Sequence, residues 1–303
     1  MKALEVIQID KAFGSKQILN KVSFSVEKGS IFGFVGENGA GKTTTMKLIL
    51  GLLQLDSGEI KVNGQTVKYG NSLTNRKIGY LSDVPEFYGY MTATQYLRLC
   101  GELTAIKKAL LPEKIQHVLT LVGLTNQSKK ISGYSRGMKQ RLGLAQALLN
   151  EPEILICDEP TSALDPLGRK AILDILNSLR GKTTVLFSSH ILSDIEQVCD
   201  HVAILHKGKI QLQGEVNQLK AAHSSFKYAI RFTDTASLIK FTNAMKTETL
   251  ITEEVENQLI FSGKSLNEMS QLLLTKLLQE NISPKEIFQI EPSLEELFMG
   301  VVK

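Results

Sequence analysis

Gly36-Glu37-Asn38-Gly39-Ala40-Gly41-Lys42-Thr43-Thr44 is the stretch whose reading decides the fold. The run before it, Ser30-Ile31-Phe32-Gly33-Phe34-Val35, is short, apolar and partly β-branched, and the run after it, Thr45-Met46-Lys47-Leu48-Ile49-Leu50, reads as helix. The glycines therefore sit on a strand-to-helix turn. There they let successive backbone N–H groups turn inward around a phosphate, and the helix adds its unsatisfied N–H groups and positive dipole end. Lys42 is placed to reach the β- and γ-phosphates, and the Thr43 hydroxyl to take one position on Mg²⁺. A turn that only connects a strand to a helix would not need strand, loop, Lys-Thr pair and helix all in this order.

Working outward, the 303 residues are enough for one large domain plus a small one, and 43% hydrophobic content supports a core. A net charge of +4 with 22% charged residues is mildly basic. The pairs Lys107-Lys108, Lys129-Lys130 and Lys207/Lys209 are short and separated, which suits solvated surface and no nucleic-acid partner. Cys100, Cys157 and Cys199 have no metal-like spacing, and their odd number argues against a disulfide framework, so a reducing compartment is expected. Met1-Lys2-Ala3-Leu4-Glu5 enters strand-like sequence at once, so no signal peptide is expected. No apolar run approaches the roughly 20 residues needed to span a bilayer. If the protein works on a membrane, another polypeptide provides the spans.

Residues 4–10, 22–28 and 58–68 read as strands, with turns at Ser57-Gly58 and Asn63-Gly64. Phe13 follows the first as a loop aromatic, which either stacks on an adenine ring or closes the small sheet over the core. From about Thr92 to Asn150 the pattern is helical. Its faces are Tyr96, Leu97, Leu99 and Cys100; Ile115, Val118, Leu119 and Val122; and Met138, Leu142, Ala145 and Leu149. This reads as a helical insert, residues 84–150, within an α/β domain. Strands and helices then alternate through 153–157, 166–180, 183–187 and 202–206, which implies a parallel sheet with covered faces. Near Gln218 the organisation changes. Strand 226–232, helix 235–246, strands 249–253 and 257–261, helix 266–279 and strand 285–290 give the order βαββαβ of a small ferredoxin-like domain. Capping boxes at Ser265-x-x-Glu268 and Ser293-x-x-Glu296 open its last two helices. The tail holds no catalytic constellation, so binding or regulation is expected of it.

The second decisive segment is Ile154-Leu155-Ile156-Cys157-Asp158-Glu159-Pro160. A buried strand ending in two acids places them at the C-terminal edge of the sheet, where open α/β sheets bind ligands. Asp158 can hold Mg²⁺, and Glu159 can polarise the water that attacks the γ-phosphate. Between the two motifs, in Tyr134-Ser135-Arg136-Gly137-Met138-Lys139-Gln140-Arg141-Leu142, Ser135 can N-cap the following helix and so create a second anion site. One nucleotide does not need two such sites, which suggests that this helix end serves a nucleotide held by another copy.

Residues 1 to about 218 resemble the ATP-binding subunits of ABC transporters. The resemblance rests on the phosphate loop, on Tyr134 to Met138 in the signature position, on Asp158-Glu159, on Ser162-Ala163-Leu164-Asp165 as the D-loop and on His190 after Phe187-Ser188-Ser189, all in order. The tail, with Glu291-Pro292-Ser293-Leu294-Glu295-Glu296-Leu297-Phe298, is similar to that of the ABC-2 type exporter branch, which includes antibiotic and peptide exporters. The resemblance implies a P-loop NTPase fold: a RecA-like core with a small antiparallel β-subdomain and a helical insert at 1–218, followed by an α+β accessory domain at 219–303. It implies an Mg-dependent ATPase that pairs head to tail with a second copy and drives a polytopic ABC-2 type permease from the inner face of the cell membrane. ATP would be held by Phe13, Gly36, Asn38, Gly39, Ala40, Gly41, Lys42, Thr43 and Thr44, with Ser135 and Gly137 contacting the partner copy's γ-phosphate and Asp165 bridging the pair. Lys42, Glu159 and His190 would carry catalysis, and Thr43, Asp83 and Asp158 would face the metal.

Two departures stand out. Arg136 and Met138 replace a glycine and the glutamine of the usual Leu-Ser-Gly-Gly-Gln, and Asp83 stands where the family has a glutamine. Arg136 either adds a cation near the partner's phosphates or points to solvent. Phe87, Tyr88 and Tyr90 form either an exposed patch for a partner helix or part of the insert's own core. A soluble or regulatory ABC ATPase, acting as a sensor or immunity module, is the alternative function.

Overall fold

Long alternating strands β1 (Lys2–Phe13) and β2 (Lys16–Glu27) open the chain as an antiparallel hairpin, before the fully buried β3 (Ile31–Val35). Then come α1 (Lys42–Ile49), β4 (Ser57–Val62), β5 (Gln65–Thr66), β6 (Ile78–Leu81), α2 (Ala93–Leu103), α3 (Leu111–Leu121), α4 (Arg136–Leu148) and β7 (Ile154–Cys157). These are followed by α5 (Pro166–Ser178), β8 (Thr184–Ser189), α6 (Leu192–Val198), β9 (His201–His206), β10 (Lys209–Glu215) and α7 (Val216–Ala222). The last elements are β11 (Phe226–Arg231), α8 (Thr235–Ala244), β12 (Ile251–Val255), β13 (Gln258–Gly263), α9 (Leu266–Gln279), β14 (Glu286–Ile290) and α10 (Leu294–Val302). This computed structural model describes residues 1–70, 73–125, 128–222, 226–245, 251–263, 266–290 and 293–302. Two compact units emerge, Met1–Asn217 with the last residues from Phe298, and Gln218–Leu297.

In the first unit one sheet has the order β2-β1-β4-β5 and is antiparallel throughout. The other has the order β10-β9-β3-β8-β7-β6, parallel except for the edge strand β10. β3, β7 and β8 are buried along their whole length, as strands covered on both faces must be, and this explains their unbroken apolar runs. Because β8 lies between β3 and β7, the C-terminal ends of all three sit side by side. That juxtaposition brings the glycine loop, Asp158-Glu159 and Ser188-Ser189-His190 to one edge.

β6 and β10 went unread in the sequence. β6 is only four residues long and takes its register from β7, while β10 returns antiparallel to β9 after the Lys207-Gly208 turn. Phe13 ends β1, paired with Lys16, rather than lying in a loop beyond residue 10. In the insert, α2 buries Ala93, Tyr96, Leu97 and Gly101, and Leu99 and Cys100 are only half-buried at the edge of that face. A reciprocal Thr92–Gln95 capping box starts α2, and Ser135 starts α4 by accepting the Met138 N–H at 3.2 Å.

The second unit has the sheet order β12-β13-β11-β14, all antiparallel, with α8 and α9 against it. That is the strand order a βαββαβ chain needs to close a ferredoxin-like sheet. Ile230, Phe232, Phe241, Leu259, Phe261, Leu273 and Leu277 form its core. Asp234 caps α8, and the Ser293 hydroxyl accepts the Glu296 N–H at 3.2 Å, which is one half of the second expected capping box, while the Glu296 carboxylate pairs with Lys227 at 2.8 Å. Ser265 of the other box, Glu291, Pro292 and residues 249–250 of the expected strand lie outside the described residues.

Candidate functional site

The loop from Gly36 to Gly41 begins and ends on glycines, one required by a close approach of backbone and the other by its left-handed conformation. A Cβ on Gly36 would lie 2.5 Å from the Leu205 carbonyl, and Gly41 enters α1 at φ +114 with Leu19 Cδ2 only 2.6 Å from where its Cβ would stand. Glu37, Asn38 and Gly39 are exposed at the tip, Ala40 is buried, Thr43 is exposed and Thr44 half-buried. Lys42 is 5% exposed, and its ammonium donates to the Gly36 carbonyl at 2.6 Å and the Glu37 carbonyl at 3.2 Å. This lysine thus curls back over its own loop.

From the neighbouring strand ends come the acids. Asp158, 2% exposed, accepts from the Thr43 hydroxyl at 2.7 Å on one oxygen and from the Ser188 hydroxyl at 2.7 Å on the other. Ser188 in turn accepts the Glu159 N–H at 2.9 Å. Glu159 has φ +48, a left-handed conformation that a non-glycine residue keeps only where its surroundings impose it, and the Ser188 bond is one such restraint. The Glu159 carboxylate spans two bases: Oε1 lies 3.0 Å from Lys42 Nζ, and Oε2 lies 2.7 Å from His190 Nδ1. The Lys42 contact is an ion pair without hydrogen-bond geometry, since Oε1 is buried and accepts no hydrogen bond. Glu159 is 9% exposed, and the lysine and histidine on either side of its carboxylate are the groups that compensate a charge buried there.

The field of these acids reaches their neighbours. Burial first and Asp158 second push the Tyr80 hydroxyl up to about 12, and the same two causes raise the Cys157 thiol. Burial also raises the Asp83 carboxyl, against the pull of Arg136 and with the push of Asp158 and Glu159. Asp83 Oδ1 is buried and accepts no hydrogen bond, and Arg136 Nη2 stands 3.8 Å from it. Arg136 therefore turns to a carboxylate of its own chain. Asp83, Phe87, Ile131, Arg136 and Gln140 line a cavity of about 450 Å³.

A hydroxyl, a carboxylate and an orphaned buried carboxylate oxygen are hard oxygen donors, the set that suits Mg²⁺. Among the described residues no three His, Cys, Asp or Glu side chains form a metal cage.

The structure thus brings Lys42, Thr43, Asp158, Glu159 and His190 into one bonded network. Ser135, Gly137, Asp165 and Phe13 are not bonded to it among the described residues. Ser135 is exposed at the start of α4, and a Cβ on Gly137 would meet only Gly168 Cα, at 3.9 Å. Asp165 caps α5 by accepting the Gly168 N–H at 3.3 Å. Phe13 is 49% exposed, with the Lys11 ammonium 5.4 Å from its ring centre. The aromatic cluster divides: Phe87 packs edge-on against Tyr96 at 5.1 Å, while Tyr88 and Tyr90 remain exposed. Sequence reasoning passed over Ser188, although a serine inside the buried run Thr184-Val185-Leu186-Phe187-Ser188-Ser189 is a polar group that must find a partner.

A glycine loop opening a helix beside a strand-end acid pair defines a phosphate-binding-loop ATPase. Residues 19–162 match the family model described as ABC transporter. The uncharacterized ABC transporter ATP-binding protein YxlF of Bacillus subtilis (strain 168) is 37% identical over 300 residues, 99% of each chain. The bacitracin transport ATP-binding protein BcrA of Bacillus licheniformis is 40% identical over 226 residues, 74% of this chain and 73% of BcrA. A solved ATP-binding subunit of an ABC transporter superposes with a TM-score of 0.63 at 31% identity, over 73% of this chain and 92% of that one. The chain belongs to the ABC transporter family, as an ATP-binding subunit with ATPase activity. Among the described residues no helix is long and apolar enough to cross a membrane.

Proposed function

We propose that this subunit is the motor of an ABC-2 type exporter, closing head to tail on a second copy around ATP and docking on the inner face of the cell membrane through a polytopic permease. The observation that carries the pairing is the room at Gly137, where an added Cβ would make only an ordinary contact with Gly168 Cα at 3.9 Å. Nothing in its own chain requires a glycine there, whereas a phosphate approaching the exposed start of α4 would. Support for the exporter branch comes from BcrA, which is named for bacitracin transport. The accessory unit from residue 219 carries no chemistry in this reading and serves binding or regulation.

In this reading Lys42 leaves Glu159 for the β- and γ-phosphates, and the loop N–H groups hold the same oxygens. Glu159, freed on one oxygen and held by His190 on the other, orients the attacking water and takes its proton. Thr43, Asp158 and Asp83 would hold Mg²⁺, which when bound neutralises charge on the phosphates. Phe13 stacks on the adenine, Ser135 and Gly137 complete the partner's γ-phosphate pocket, and Asp165 faces the partner. Loss of the γ-phosphate removes the contacts that join the copies, which turns hydrolysis into motion. The test is Glu159→Gln in light scattering. The variant is expected to bind ATP and to persist as a particle of two 33.5 kDa chains, and rapid steady-state turnover by it would refute the role of Glu159. Recovery of a stoichiometric polytopic protein from detergent-solubilised membranes checks the permease.

A further inference from the structure

One buried carboxylate of the first unit has no part in the chemistry described above. Asp194, the third residue of α6, is 1% exposed. Its Oδ2 accepts from the Thr161 hydroxyl at 2.7 Å, and its Oδ1 is engaged by Arg169 Nε. The same guanidinium donates to the Ser193 hydroxyl at 2.7 Å.

The partners matter because of where they stand in the chain. Thr161 lies two residues after Glu159, and Asp194 four residues after His190. Arg169 lies one helical turn past Asp165 and donates its backbone N–H to the Asp165 carbonyl at 2.9 Å. On the histidine side, the Asp194 N–H returns to the Ile191 carbonyl at 3.2 Å, and the Ile191 N–H is held by the Ser189 hydroxyl at 2.9 Å. One carboxylate therefore ties together the loop that carries Glu159, the loop that carries His190 and the first turn of α5. The His190 side chain is 41% exposed, so beyond its 2.7 Å contact with Glu159 the place of the imidazole depends on the backbone that bears it.

We infer that Asp194 is a positioning residue for ATP hydrolysis: through Thr161 and Arg169 it sets the distance between Glu159 and His190 and links that distance to the position of Asp165. The inference rests on the roles proposed above for Glu159 and His190. A need for packing alone would be met as well by apolar side chains, since a buried ion pair contributes little net stability over a hydrophobic replacement. What the ion pair and its threonine add is direction: a carboxylate with two aimed acceptors and a planar guanidinium fix three segments in one geometry.

The experiment compares Asp194→Asn, Arg169→Met and the double variant by thermal unfolding and by steady-state kcat and KM for ATP in Mg²⁺ buffer. Each single variant leaves one charge unpaired and is expected to lower both Tm and kcat. The double variant removes both charges and is expected to regain Tm while kcat stays down by about 10- to 100-fold, the usual cost of a misplaced catalytic group, with KM changed by less than about threefold. Recovery of kcat together with Tm in the double variant would make the trio purely structural and overturn the inference. If the double variant does not regain Tm, Arg169→Lys decides, because it keeps the charge and loses the planar fork. A fall in kcat at unchanged Tm then supports the inference, and an unchanged kcat overturns it. Glu159→Gln, run in parallel, separates this inference from the reading it rests on. An inactive Glu159→Gln beside a fully active double variant refutes the positioning role alone, whereas an active Glu159→Gln refutes both.

Discussion

Replacing Ser188 by alanine removes one oxygen from the middle of the site and nothing else. Ser188 is fully buried, donates to Asp158 at 2.7 Å and accepts from the Glu159 N–H at 2.9 Å. The lost bond to a charged acceptor contributes about 1.5–3 kcal/mol, and the orphaned N–H costs about 1–3 kcal/mol more where water does not reach it. Some relaxation offsets the sum, so a destabilisation of about 3–4 kcal/mol is expected, at the high end for a single substitution. For a unit of this size that is a fall in Tm of about 10 °C. The loss is larger than a cavity argument would give, since only an oxygen is missing. Turnover should fall at least about 10-fold, because Glu159 loses a restraint on its left-handed backbone and Asp158 keeps only Thr43. Calorimetry gives the first quantity and phosphate release the second. Ser188→Ala with Tm lowered by less than about 3 °C and unchanged turnover would refute the account of this network.

Other substitutions probe other parts. Gly137→Ala should leave Tm unchanged or slightly raised, because its Cβ makes only an ordinary contact within a helix, yet lower turnover; unchanged turnover would mean that no phosphate approaches α4. Asp83 and Arg136 are both nearly half exposed, so a double-mutant cycle of Asp83→Asn with Arg136→Ala should give a coupling in Tm of under about 1 kcal/mol that fades with added salt; a larger, salt-insensitive value would contradict the 3.8 Å geometry. The Asp234 carboxyl is held below 3.8 by the N–H and hydroxyl of Ser237, so the folded state favours its charged form. That contribution is full above pH 3.8 and drains as pH falls through the lower folded value, so the stability of Asp234→Asn should converge on that of the parent protein as the medium is acidified below about pH 4.

Much of the cassette was legible because its decisive signals are local. The glycine loop, the acids after Ile154-Leu155-Ile156-Cys157 and the serine before Arg136 each declare a strand end or a helix start within ten residues, and the structure has strands and helices there. What stayed hidden is set by register and long-range contact. β6 exists because β7 lies beside it, and its Ile78-Gly79-Tyr80-Leu81 is too short and mixed to declare a strand. Ser188 was invisible as a site residue until β8 was placed between β3 and β7. The choice left open for Arg136 needed the position of Asp83, more than fifty residues away in the chain. Phe87, Tyr88 and Tyr90 sit in a segment without periodicity, so no pattern told that Phe87 and Tyr88 both turn an edge to Tyr96, at 5.1 and 6.3 Å.

The pairing of two copies is tested most directly by placing cysteines at Asn38, on the loop tip, and at Ser135, in a chain that also carries Glu159→Gln. Cys100, half-buried, is replaced by serine, while Cys157 and Cys199 are buried and can stay. With ATP and a short bifunctional thiol reagent, the account predicts a cross-linked species of two chains on a denaturing gel that disappears without nucleotide. Cross-links formed only within one chain, or a yield between chains that ATP does not change, would contradict it.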